Sequence, residues 1–358
     1  MPVSADRAPE SADVWVAPTA LEPPHTLERD ARWLEAKHLE LEGSQASGHS
    51  LAARLRSNAR IASELDEFFR LRAARHDELL ETGFGREVDA QTALETLDDL
   101  RVELGAMASA QDELFVSGLG PELAEAGVHL IEWDELRPDE QEHLHAWFEQ
   151  RIFPLLTPLA VDPGHPFPYI SDLSLNLAVV LVDPADDRRH FARVKVPGSL
   201  DRFVGLPGGS RHVPLEQVIV AHLDRLFTGM AVVEHHPFRV TRDGGVSDEV
   251  SDSDSRRARA GRPVRLEIHH AMSDEVRGRL QRELQLDDES VYQRLAPLDL
   301  SWMDWVADFV DHERGDELGQ PDLPSRPGSI RPMVAVIAAV VAVAIVVVML
   351  VVVWKLFG

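Results

Sequence analysis

The feature that most constrains this chain is an unbroken apolar run near its C-terminus. Residues 333–354 read MVAVIAAVVAVAIVVVMLVVVW, with no charged residue and no Asn, Gln, Gly or Pro. At about 1.5 Å rise per residue, a helix of this length is roughly 33 Å long and matches a hydrocarbon core of roughly 30 Å. A buried helix of a soluble domain usually shows a polar face and is shorter. The run therefore predicts one transmembrane helix over Met333–Trp354.

The flanks of this run and the start of the chain predict where the rest of the protein lies. Arg326 and Arg331 precede the run and Lys355 follows it, and cytoplasmic flanks carry such an excess of positive charge. Residues 1–14 contain acids and no apolar stretch, unlike a cleaved signal peptide. The absence of Cys fits a reducing compartment. We expect a single-pass membrane protein whose soluble body is cytoplasmic.

The charge balance excludes one large class of partner. The chain has 61 Asp and Glu against 36 Lys and Arg, a formal net charge of −25. Neutralising phosphates along a nucleic acid requires clustered cations, and excess acids repel the polymer. We expect no nucleic-acid partner.

Composition and periodicity divide the chain into five segments. They are a disordered arm at 1–26, a helical domain at 27–150, a mixed domain at 151–310, a linker at 311–332 and the transmembrane helix at 333–354. The fold class is therefore α+β, with an N-terminal helical bundle, a mixed α+β domain and one C-terminal transmembrane helix.

Within these segments, apolar spacing predicts individual elements. Helices are expected near 27–42, 50–80, 90–116, 120–126, 138–153, 215–227 and 273–283, and strands at 173–182, 191–196, 232–240 and 264–268. Two apolar stripes should form the helical core: Ile61, Leu65, Phe68, Phe69 and Leu71, and Leu94, Leu97, Leu100, Leu104 and Met107. The polar tract at 244–262 is typical of a flexible loop.

Two stretches resemble a known family. The first is SELDEFFRLRAA at 63–74, with RWLEAKHLE at 32–40, and the second is the run FEQRIFPLLTPLAVDPGHPFPYISDLSLNLAVVL at 148–181. Together they resemble the front part of bacterial polyphosphate kinases of the long, histidine-phosphorylated type. The resemblance covers about residues 27–310 and implies an N-terminal helical domain and a middle, or head, domain that takes part in subunit association.

The resemblance also implies what this chain lacks. In the family, two later phospholipase-D-like domains hold the phosphorylated histidine and the groups around phosphate and metal, and we expect this chain to lack them. The family reads Ser-Asn-Leu-Asp-Glu-Phe where this chain has Ser63–Phe68, and that Asn contacts the ATP base. Glu64 stands in its place, and a carboxylate cannot donate as the amide does and repels a polyanion. Lys37 likewise replaces a usual Asn. We expect no catalytic residue and no nucleotide-binding residue.

Ordinary structural roles explain the other polar residues that could suggest a site. His165 lies in a Pro-rich connection without a catalytic partner, and Asn176 should pair internally within its strand. The pairs His235–His236, His269–His270 and His143–His145 should diverge, so we expect no metal site and no cofactor. The arginines around Glu64, Asp66 and Glu67 favour a solvated helix surface over a phosphate site. They are Arg54, Arg56, Arg60, Arg70, Arg72 and Arg75.

These observations favour a non-catalytic, membrane-anchored interaction or regulatory protein. Its expected partner, besides the membrane, is a full-length polyphosphate kinase or a second copy of the chain. The alternative is that the chain takes part in polyphosphate synthesis, transferring phosphate from ATP together with a separate catalytic chain. A third reading is a purely structural membrane protein.

Overall fold

A computed structural model describes residues 23–45, 48–73, 90–161, 167–243 and 261–313. Most of the expected arm, most of the polar tract at 244–262 and the linker after Glu313 lie outside these residues, and so does the apolar run Met333–Trp354. Within the described ranges, no helix is both long and apolar enough to cross a membrane.

The described elements form a mixed α+β fold. The helices are α1 (Pro23–Ser44), α2 (Leu51–Phe68), α3 (Ala90–Leu114), α4 (Gly120–Glu125), α5 (Pro138–Trp147), α6 (Leu215–Val220), α7 (Leu223–Leu226), α8 (Asp274–Leu284) and α9 (Met303–Glu313). The strands are β1 (His129–Leu130), β2 (Leu159–Val161), β3 (Leu175–Val182), β4 (Arg189–Lys195), β5 (Phe203–Gly205), β6 (Arg211–Pro214), β7 (Ala231–Arg242), β8 (Pro263–His269) and β9 (Val291–Arg294). Single π-helical turns extend α2, α3 and α5.

Helix α2 is central to the helical part. The Ser50 side chain caps its first turn by accepting a hydrogen bond from the Ala53 backbone N–H at 3.2 Å. Its apolar stripe is buried against α1 and α3, as the spacing predicted for Ile61, Leu65, Phe68 and Phe69. The prediction that Leu71 lies in the core is wrong, because Leu71 is 38% exposed. It lies on the π-helical turn after α2, where the helical periodicity no longer holds.

A six-stranded sheet lies at the centre of the mixed part. Its order is β2-β4-β3-β7-β8-β9, with antiparallel neighbours except for the parallel pair β8 and β9. Leu177 and Val179 of β3 pack toward α5 and α6, while Ala178 and Val180 pack toward α8. Burial on both faces explains why β3 reads as a nearly continuous apolar run. A smaller sheet has the order β1-β6-β5.

The last described helix joins the two parts of the molecule. Met303, Val306 and Ala307 of α9 are buried in the same core as the α1–α3 stripes, and Val310 completes their three- and four-residue spacing. Helix α9 therefore packs with the helical part although it follows the sheet in the sequence.

Several expected boundaries differ from the structure. Helix α9 continues to Glu313, into the expected linker, and α1 begins at Pro23, ahead of the boundary at 27. The helix expected over 215–227 is two short helices, α6 and α7, which are interrupted near His222.

Candidate functional site

The position related to nucleotide binding lies between α1 and α2. The Lys37 ammonium lies 2.6 Å from a carboxylate oxygen of Glu64 and 2.8 Å from one of Glu40. Burial acts to lower the pKa of Lys37, but hydrogen bonds to Glu40 and Glu64 outweigh it and the pKa is raised. Lys37 and Glu64, two of the residues expected to depart from the family pattern, thus form one ion pair. The charge of Glu64 is already matched by the protein itself.

The arginines near Glu64 do not converge on a common point. Arg54 binds Glu122 at 2.6 Å, Arg56 binds Asp308 and Asp311 at 2.7 Å each, and Arg60 binds Glu40. Arg70 lies 2.9 Å from both Glu67 and Asp172. These pairs link separate elements, a more specific role than the solvated surface we expected. The side chain of Arg72 and all of Arg75 lie outside the described residues.

A buried network of charges joins the helical part to the sheet. Asp66 of α2 accepts from both Nη atoms of Arg239 on β7, at 2.8 Å for Nη1, and from Arg265 on β8. Glu267 of β8 binds Arg239 at 2.7 Å and Arg294 of β9 at 3.0 Å. The charges of these two carboxylates and three guanidinium groups are therefore shared across the junction.

The second contact across this junction comes from α3. The Arg294 Nε donates to Asp112 at 2.9 Å, and the Leu295 backbone N–H donates to the other oxygen of Asp112 at 2.7 Å. With Asp112 included, three buried arginines meet three buried carboxylates. Such pairing offsets the large cost of removing each ion from water.

The electrostatics of the network favour the ionised carboxylates. Burial acts to raise the pKa of Glu267, but the charges of Arg265, Arg239 and Arg294 lower that pKa to about 2. Burial also acts to raise the pKa of Asp66, and the charges of Arg239 and Arg265 lower it below its usual value. Both carboxylates therefore remain charged at neutral pH.

The network encloses too little space for a nucleotide. The cavity beside Asp66, Arg239 and Arg265 has a volume of about 10 Å³. A space of this size holds about one water molecule. The charges of the arginines at this junction are matched by carboxylates, and this cavity is too small for a phosphate group.

Only Asp66 of this network was among the residues singled out from the sequence. Arg239, Arg265, Glu267, Arg294 and Asp112 were missed. A signal was present in β8, where Arg265 and Glu267 alternate with apolar residues and so share one face of the strand. Charged residues at alternate positions usually indicate a solvated face, whereas here that face is covered by α2.

The expected internal role of Asn176 is confirmed. Its side-chain oxygen accepts from Arg193 Nε at 2.7 Å, and its amide donates to the Ser174 carbonyl at 2.7 Å. His165 lies outside the described residues.

The histidine pairs behave in different ways. His143 is exposed, and His145 Nδ1 lies 2.5 Å from His222 Nε2. The rings of His269 and His270 lie 4.3 Å apart between centroids, so their expected divergence is wrong. His270 follows the last residue of β8 and no longer obeys strand alternation.

In the part of the chain that the structure describes, no three His, Asp or Glu side chains are placed to hold a metal ion.

Comparison with known proteins decides the family. The model of the polyphosphate kinase middle domain matches residues 139–304, and that of the polyphosphate kinase N-terminal domain matches residues 26–131. The chain belongs to the polyphosphate kinase family. The resemblance seen in the sequence is thus confirmed for the N-terminal and middle domains of polyphosphate kinases.

Individual polyphosphate kinases match over most of this chain. The polyphosphate kinase of Streptomyces coelicolor is 43% identical over 285 residues, which cover 77% of this chain and 38% of that protein. The polyphosphate kinase of Mycobacterium tuberculosis (strain H37Rv) is 36% identical over 332 residues, covering 86% of this chain and 45% of that protein. The chain thus spans less than half the length of these polyphosphate kinases.

A solved structure has the same fold. The crystal structure of polyphosphate kinase from Porphyromonas gingivalis aligns with a TM-score of 0.65 at 24% identity, over 82% of this chain and 41% of that one. At this identity the likeness concerns the fold alone. It agrees with the mixed arrangement of helices and sheets described above.

Proposed function

We propose that this chain is a non-catalytic, membrane-anchored interaction or regulatory protein of the polyphosphate kinase family. The observation that carries the proposal is the junction between α2 and the sheet, where the buried cations are bound by carboxylates of the same chain. Phosphoryl transfer relies on cations that hold and stabilise the phosphates of the nucleotide. The buried cations of these two family domains are instead bound by carboxylates and hold the domains together.

The proposed partner is a full-length polyphosphate kinase or a second copy of this chain. The matched domains form one packed unit through the shared α1–α3 and α9 core, and a rigid unit suits surface recognition. The run Met333–Trp354 would form the anchor, so that binding brings the partner to the membrane. The body would lie on the cytoplasmic side.

A second candidate follows from the relatives. Polyphosphate kinases match this chain over 77% and 86% of its length, and in this second candidate its two domains are those that a separate catalytic chain lacks. In that case the chain would take part in polyphosphate synthesis from ATP as one half of a two-chain enzyme.

Reconstitution separates the two candidates. The full chain in detergent is mixed either with a full-length polyphosphate kinase of the same bacterium or with a fragment of it that lacks the N-terminal and middle domains. The proposal expects a stable complex with the full-length kinase and no synthesis with the fragment. Polyphosphate made only when the chain and the fragment are combined supports the second candidate. Binding to neither, together with a monomeric chain by light scattering in detergent, contradicts both candidates.

A further inference from the structure

Aromatic side chains join the smaller sheet to helix α9. The ring centroid of Phe203 on β5 lies 4.7 Å from that of Trp302, which precedes α9, and 6.3 Å from that of Trp305 on α9. Phe203, Trp302 and Met303 are buried in the same core. The last described helix is therefore packed on this sheet as well as on α2.

One polar side chain lies inside this aromatic interface. His212 of β6 is 1% exposed, and its ring centroid lies 6.1 Å from that of Trp305 and 5.6 Å from that of Phe309. Among the described residues, neither of its ring nitrogens has a hydrogen-bond partner. A neutral imidazole buries one donor and one acceptor here, whereas a protonated one would bury two donors and a charge.

The charged groups on the surrounding elements are engaged elsewhere. Arg211 of β6 lies 3.5 Å from Glu140, and Arg202, just before β5, is paired with Glu216. The other charged groups are exposed or belong to ion pairs between α2 and α9: His129 of β1, Asp304 of α9, and Asp308 and Asp311 of α9 with Arg56 of α2. In the described part of the chain, no carboxylate offsets a charge on His212.

The interface therefore favours the neutral ring. Burial lowers the pKa of His212 and outweighs the nearby Ser210 carbonyl, which acts to raise it. When α9 separates from β6, water reaches the ring and its pKa returns toward the ordinary value of about 6.5. The closed interface thus keeps its full stability above about pH 6.5 and loses stability as the pH falls from there toward the lowered pKa.

We propose that His212 makes the packing of α9 sensitive to pH, so that protonation of its ring in mildly acidic solution releases α9 from the smaller sheet. The separated state gains a solvated charge, which the closed interface cannot accommodate. This interface lies within the described body, so its pH dependence is independent of the proposed function.

Thiol labelling tests this release, because the chain contains no Cys. Ala307 of α9 and Ala192 of β4 are both 0% exposed and lie in different cores, whereas Ala106 of α3 is exposed. Each is changed to Cys separately in the full chain in detergent. Labelling by a dithiodipyridine reagent is followed at about pH 7.5 and about pH 5.5, on either side of the ordinary histidine pKa. Ala106→Cys gives the intrinsic thiol reactivity at each pH.

Labelling of Ala307→Cys, relative to Ala106→Cys, should become severalfold faster at the lower pH. The increase is at most about tenfold, the gain in protonation of an imidazole of ordinary pKa over this range. Labelling of Ala192→Cys should not change, because it requires opening of a different core. Adding His212→Phe to Ala307→Cys should abolish the increase, since Phe retains an aromatic ring but cannot bind a proton.

The matched control is His143→Phe, the same replacement at an exposed position of α5, which should leave the increase intact. If His212→Phe itself loosens the packing, labelling is faster at both pH values. The prediction concerns the ratio between them, which should still approach one. The proposal is overturned if Ala307→Cys labelling does not accelerate at the lower pH, if it accelerates equally with His212→Phe, or if Ala192→Cys accelerates as much.

Discussion

Asp66 is the side chain on which the junction between the helices and the sheet most depends. It binds two arginines from two different strands while 8% of its surface remains exposed. Removing one member of a buried ion pair leaves the others unmatched. Asp66 therefore contributes to stability by neutralising these arginines. It lies in the family motif Ser63–Phe68, where a role in nucleotide binding is the more obvious interpretation.

Asp66→Asn should lower the free energy of unfolding by about 3–5 kcal/mol, because Arg239 and Arg265 lose a buried counter-charge. Glu67→Gln is the neighbouring control, since the Glu67 side chain is 44% exposed and, within the described ranges, pairs with Arg70 alone. It should change stability by less than about 1 kcal/mol. Urea unfolding of both variants measures the difference, and equal losses would contradict the role given to Asp66.

The network also predicts how stability depends on pH. A carboxylate whose folded pKa is lowered stabilises the fold above its unfolded pKa, roughly 4, and loses that contribution as the pH falls toward the folded value. For Glu267 that value is about 2, and the pKa of Asp66 is lowered in the same direction. The urea midpoint should therefore fall between pH 4 and 2, and less steeply in Glu267→Gln. A midpoint that rises over this range in the wild-type protein would be incompatible with the network.

The Lys37–Glu64 pair changes what is expected of ATP binding. Glu64→Asn restores the family's amide but leaves Lys37 paired with Glu40 alone, and it supplies no phosphate ligand. ATP should bind the wild-type chain in the millimolar range or not at all, with at most a weak gain in Glu64→Asn and no turnover. Calorimetry measures this. Micromolar affinity in the wild-type chain that is lost in Glu64→Ala would mean that Glu64 is a working ligand.

At the scale of elements, the sequence predicts the long helices and strands with a clear apolar period, but not the short strands. β3, β7, β8 and α8 follow directly from their apolar patterns. Strands such as β1 and β2 have two or three residues, too few to show alternation. Helix α9 has amphipathic spacing, but it was not predicted. The charged, Pro- and Gly-rich sequence from 311 onward instead favoured a linker that overlaps its last turn.

The candidate site was less predictable than the fold for a physical reason. Asp66 and Arg239 are 173 positions apart, and the pattern of either segment alone is equally consistent with a solvated charge. Only the packing of α2 on the sheet brings them together.

The apolar run Met333–Trp354 is the element proposed to anchor the chain. Deleting residues 333–358 should move the protein from the membrane fraction to the soluble fraction, because a transmembrane helix supplies the affinity for lipid. Fractionation with a high-salt wash measures this and removes proteins held only by charge. A deletion variant that stays with the membrane through the wash would contradict the anchor.

The whole molecule contains the N-terminal and middle domains of polyphosphate kinases, held together by ion pairs. Their buried charges are matched at the junction, and Glu64 is paired with Lys37. We propose that these two domains do not transfer phosphate by themselves.

The most direct test is to incubate the full purified chain with γ-labelled ATP and Mg²⁺, then to analyse polymer and protein separately. A full-length polyphosphate kinase under the same conditions is the positive control. The account predicts that the chain forms neither labelled polyphosphate nor an acid-labile phosphoprotein. Acid-labile label on the chain, or labelled polymer above the level without protein, would contradict it.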